Sequence, residues 1–143
     1  MRPSTLSEAV ERMQTSDPHG AALAEFVDTF LMASNDDARY AMIEQEPKPS
    51  GDAQLDALAG AVAEYLAKQY RLGRVPGWVS HPRRCLNEPW FTTSSPHPAM
   101  REYLSIVSPA EFRSHNIFTE EQPLRRARSH LPYAKAAKTA TLS

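Results

Sequence analysis

Prolines at positions 76, 82, 89, 96 and 98 recur every few residues through the middle of the chain. Each lacks an amide donor and fixes its own φ, so no long helix or central strand can run through this region. The stretch YRLGRVPGWVSHPRRCLNEPWF, residues 70 to 91, also holds both tryptophans and the only cysteine. Two large indoles on a stiffened backbone gain most by packing against neighbouring helices. The reading is a structural clasp of one-turn helices and turns around Trp78 and Trp90.

Helical spacing dominates the flanking sequence. Thr5 and Glu8 have the spacing of a capping box, followed by Leu6, Ala9, Val10 and Met13 on one face. Asp17 and Pro18 form a start signal for a helix carrying Leu23, Phe26, Val27, Phe30 and Leu31 inward. Ser34 or Asn35 caps a third helix, with Ala38, Ala41, Met42 and Ile43 facing the core. After the turn EPKPSG, Asp52 caps the strongest helix, whose stripe is Leu55, Leu58, Ala59, Val62, Leu66 and Tyr70. Its alanines allow close packing, and Gly73 is the expected C-cap.

Beyond the clasp, Pro96 and Pro98 bracket a helix with Met100, Tyr103, Leu104 and Val107. Ser108 and Pro109 open another that ends at Asn116, and Ile117 and Phe118 are extended. No stretch alternates in the manner of a half-buried sheet. The predicted fold is mainly α: a bundle of about five to six short helices with a Pro/Trp-rich irregular clasp. It comprises one domain over residues 1 to 122, and residues 123 to 143 form a flexible basic tail.

With 143 residues and one cysteine, the chain has the size to bury a core without disulfides and fits a reducing, cytoplasmic setting. Neither a signal-peptide pattern nor a run long enough to span a bilayer occurs. Charge is uneven although the net charge is −1. Through Leu66, four basic residues face twelve acidic ones; from Ala67 onward twelve face five. The acidic half is residues 1 to 72 and the Trp/Pro-rich basic half 73 to 122. Such halves attract one another, and a basic surface can also serve an acidic protein or nucleic acid.

Residue chemistry for catalysis or metal binding is sparse. His81 and Cys85 lie four apart, but Pro82 disrupts the helix that would align them, and two tight ligand pairs are missing. Neither a metal nor another cofactor is expected. Cys85 is expected to be small and buried, and His81 a cap or surface group. The five glycines form no phosphate-cradling loop, and no paired-carboxylate signature has a recognisable role. The expectation is a protein that is not an enzyme.

ALAEFVDTFLMAS, EQEPKPSGDAQLDALAGAVAEYLA, VPGWVSHPRRCLNEPWF and SPAEFRSHNIFTEE, taken together, resemble a bacterial family of antitoxin-like regulators. That family often carries an Xre-type helix-turn-helix in front. The resemblance covers roughly Ala21 to Glu121, and PGWV followed by proline, arginine, leucine and EPWF is its most specific motif. It implies a toxin–antitoxin setting, with the region contacting a protein partner such as a nucleotidyltransferase-like toxin encoded nearby. The roughly twenty residues ahead of the first matching helix are too few for a five-helix Xre domain, so DNA binding is not carried over. Partner binding is carried over to Trp78, Arg83, Arg84, Trp90 and Phe91.

The expected function is therefore a non-enzymatic interaction protein, an antitoxin-like or accessory regulator that occludes a partner protein, with no membrane role. The alternative is a transcriptional regulator binding DNA through Arg83, Arg84, Arg125, Arg126 and Arg128 in the basic half.

Overall fold

A seventeen-residue helix, α4 (Ala53–Gln69), forms the axis of the molecule. The Asp52 carboxylate starts it by accepting hydrogen bonds from the amides of Gln54 and Leu55. Ala57, Ala59, Gly60, Ala61, Val62, Ala63, Leu66 and Ala67 are all buried, so the centre of α4 is enclosed on nearly every side. Small side chains make this possible, because they let neighbouring backbones approach.

The structure, a computed structural model, describes residues 2–15 and 20–124. Around α4 stand α1 (Leu6–Thr15), α2 (Ala21–Met32), α3 (Asp36–Glu44), α5 (Pro98–Val107) and α6 (Ala110–Arg113). A two-stranded parallel sheet pairs β1 (Trp90–Phe91) with β2 (Ile117–Phe118), Trp90 opposite Ile117 and Phe91 opposite Phe118. The fold is mainly helical, as expected. The start signal at Asp17 and Pro18 and the tail from Arg125 onward lie outside the described residues.

Local chemistry explains most boundaries. Thr5 Oγ1 accepts the Glu8 amide, and Glu8 reaches back to the Ser4 amide and hydroxyl, so the capping box closes one residue further out than its simplest form. The Asn35 side chain, not that of Ser34, caps α3 by accepting from the Ala38 amide. His97 Nδ1 accepts from the Ala99 amide at the start of α5, with Pro98 following at the first helical position.

Three expectations need correction. At the end of α4 the Leu72 amide bonds to the Ala67 carbonyl and the Arg71 amide to the Lys68 carbonyl. This is a Schellman ending with Arg71, φ 52°, in the left-handed position, two residues before Gly73. On α3 only Ile43 is buried, while Ala41 is exposed and Ala38 and Met42 are partly so, because a single edge of this short helix meets the core. The Ser108 hydroxyl does not cap α6; it accepts the Thr119 amide at 2.7 Å, securing the chain just after β2.

The core gathers Leu6, Val10, Phe26, Phe30, Ile43, Val62, Leu66, Phe112 and Ile117, with Trp78 and Trp90 packed partly buried against it. Burying each large side chain of this kind contributes about 1.5–3 kcal/mol. One cavity opens at the surface, a groove of about 440 Å³ bordered by Arg2, Thr29, Met32, Ala33 and Met42.

Candidate functional site

The clasp folds as two one-turn 3-10 helices, Gly77–Ser80 and Pro82–Arg84, lying against α4. Pro76 and Pro82 precede or open these turns, and His81 Nδ1 accepts the Arg83 amide to start the second. His81 is thus a cap. The geometry delivers one side chain of each kind to a different task.

Arg84 goes entirely inside, with no exposed side-chain surface. Its Nη1 donates to the Asp56 carbonyl at 3.1 Å, and Nη2 donates to the Pro47 carbonyl at 2.7 Å and to Glu46 Oε2 at 2.9 Å. The guanidinium lies 4.9 Å from the Trp78 ring centroid, and the Trp78 indole donates to the carbonyls of Ile43 and Glu44. Arg84 therefore binds the turn before α4, the first turn of α4 and the clasp into one unit. A fully buried guanidinium has no surface to present, so its assignment to a partner or to DNA is corrected: its charge is spent within the fold. Arg83 stays exposed, paired to the same Glu46 oxygen at 3.0 Å. Hydrogen bonding from Arg84, with added charge from both arginines, holds the Glu46 carboxyl below the usual carboxylate range.

A second knot adjoins the first. His115, nearly buried, faces the Arg84 carbonyl through Nδ1 and Glu64 Oε1 through Nε2 at 2.8 Å. A carbonyl can only accept, so Nδ1 carries a proton, and the carboxylate likewise takes a proton from Nε2: the ring satisfies both partners when doubly protonated. Burial pushes the Glu64 carboxyl up, but the hydrogen bonds from Lys68 and His115 outweigh it and hold the group below its ordinary value. Gly60 makes room for the arrangement. A Cβ there would lie 2.9 Å from Arg84 Cβ and 3.0 Å from His115 Cε1.

The two indoles do not stack on one another among the described residues. Trp78 lies over Arg84, whereas Trp90 is held in β1, where its amide donates to the Asn116 carbonyl. Phe91 stacks on Phe118 at 4.9 Å, and the Arg101 guanidinium of α5 covers the Phe91 ring at 4.9 Å. Cys85 is exposed, contrary to expectation, because it caps a surface turn with Sγ directed to the carbonyls of Leu86 and Ser114. Arg125, Arg126 and Arg128 lie outside the described residues.

The remaining surface feature is α5. Leu104 points into the core, whereas Met100, Tyr103 and Ile106 are 37%, 52% and 72% exposed at three-residue spacing. This apolar stripe is wider than its contact with the core, and sequence reading had counted Met100 and Tyr103 as interior. Phe91, Phe118 and Arg101 place it next to the clasp.

Among the described residues no three histidine, cysteine, aspartate or glutamate side chains converge as a metal site, and no helix is long and apolar enough to cross a membrane. The groove hydroxyls are engaged, Ser4 with Glu8 and Thr29 with the Glu25 carbonyl, and Arg2 pairs with the buried Asp28. No protein-family model, curated protein or solved structure matches the chain.

Proposed function

We propose that the protein is a non-enzymatic interaction module, an antitoxin-like or accessory regulator that binds a partner protein and occludes part of its surface. The observation that carries this reading is the outward apolar stripe of α5. Ile106 and Tyr103 are large side chains left in water on a helix whose inward face is already satisfied by Leu104. Covering two such side chains yields about 1.5–3 kcal/mol each, enough to anchor an interface when a polar rim fixes its register. Arg101 and Phe91, with Arg83 and the edges of Trp78 and Trp90 in the clasp, are the rim in this reading.

Rigidity supports the same reading. The strip next to α5 is held by the Phe91–Phe118 stack and by Ser108, which bonds both the amide and the carbonyl of Thr119. A preorganised surface loses little conformational entropy on docking.

Co-purification from the native host tests it. Tagged protein should bring down a stoichiometric companion, and the doubly substituted Tyr103→Glu, Ile106→Glu protein, folded by circular dichroism, should lose it. A protein that binds random duplex DNA with a steep salt dependence and has no protein companion would instead be a nucleic-acid binder.

A further inference from the structure

A different part of the surface carries two arginines without a carboxylate partner. Arg71 and Arg74 follow the end of α4, both exposed, and neither meets an acidic side chain among the described residues. The Arg74 guanidinium rests flat on the Tyr40 ring of α3, 4.0 Å from its centroid. Beside it, Arg39 is fixed by the carbonyls of Phe30 and Leu31 and by Asp36, and stands 5.9 Å from both the Phe30 and the Tyr70 rings. Phe30 and Tyr70 meet edge to face. The corner is thus a braced aromatic floor with two cations over its edge.

Arg71 is placed there at a conformational cost. The position after a helix in the left-handed region favours glycine, since a Cβ is strained at φ 52°. An arginine at this position supplies charge where backbone geometry alone would select a residue with none. Arg74, held on Tyr40, keeps the edge of its fork open for a planar two-oxygen acceptor.

We propose that this corner binds an acidic segment of a protein, its carboxylates engaging Arg71 and Arg74 above Tyr40 and Tyr70. Carboxylates fit better than a phosphate backbone because α3, which supplies Tyr40, also carries exposed Asp37 and Glu44. In a nine-residue helix, about 13 Å long, these flank the corner closely and would repel a continuous polyanion, whereas a short acidic segment fits between them. The proposal stands on residues separate from the α5 stripe.

The test titrates fluorescein-labelled hexaglutamate into the full chain at about 10 mM salt, where the Debye length is about 30 Å. Binding is expected, with backbone amide shifts centred on residues 39–41 and 70–75. Arg71→Gly should fold with an unchanged or higher Tm, and Arg71→Gly with Arg74→Gln should bind about tenfold more weakly. Arg113→Gln, which removes an exposed arginine elsewhere, should leave the affinity unchanged. The proposal is overturned by absent binding, by full affinity in the double variant, by an equal loss in Arg113→Gln, or by tighter binding of an oligothymidylate of equal charge.

Discussion

Replacing Arg84 by methionine removes the cation but retains much of the apolar stem. Three contacts go: the donations to the Asp56 and Pro47 carbonyls and the ion pair with Glu46. Hydrogen bonds involving a charged group contribute about 1.5–3 kcal/mol each, and their sum overstates the loss because the methionine recovers packing and Glu46 is partly solvated. Removing one partner of a buried ion pair costs about 3–5 kcal/mol, the figure adopted here. Against a total of about 5–15 kcal/mol for a domain, this is a large fraction. At about 2–4 °C per kcal/mol for a chain near this size, Tm should fall by about 6–20 °C.

Arg83→Met is the internal control. Arg83 shares Glu46 with Arg84 but is exposed, so its loss should cost no more than about 1 kcal/mol. Urea unfolding followed by tryptophan emission reads both variants, and Trp78, stacked over the Arg84 guanidinium, reports the substitution directly. Arg84→Met within about 1 kcal/mol of the wild type, or Arg83→Met equally costly, would refute the claim that Arg84 holds the clasp to α4.

Other expectations follow from the same packing. Gly60→Ala ordinarily adds about 1 kcal/mol of helix propensity, but its methyl would meet Arg84 and His115, an overpacking cost of about 1–3 kcal/mol, so a net loss in a thermal melt is expected. Ser108→Ala strands the Thr119 amide and should cost about 1–3 kcal/mol by urea titration. Glu46 and Glu64 have depressed folded pKa values, so the unfolded chain takes up protons first. Their contribution is present above the ordinary carboxylate value of 4.5 and is lost as pH falls through the lower folded values. The urea midpoint should therefore drop below about pH 4.5, and Glu46→Gln should drop less steeply; parallel profiles would contradict the assignment.

Much of the helical framework was legible because its signals are local. The capping box at Thr5, Asp52 before α4, and Pro98 at the start of α5 each act within a few residues. The roles of Arg83 and Arg84 were not legible. Adjacent arginines look alike in sequence, and what separates them is a set of backbone carbonyls at Pro47 and Asp56 that only the folded chain brings near. The same holds for His115, whose partners are a distant carbonyl and Glu64, and for Gly60, which matters as a gap that two side chains fill. β1 and β2 are two residues each and join segments far apart in the chain, so no alternating pattern existed to reveal their pairing. The outward side of α5 escaped notice because helical periodicity marks an apolar stripe without saying how much of it the core covers.

The most direct test of the proposed role is hydrogen–deuterium exchange on the tagged protein, alone and with its co-purified companion. The account requires added protection across residues 98–107 and at Phe91 in the complex, with α4 protected equally in both states. Protection confined to other segments, or no difference at α5, would contradict it.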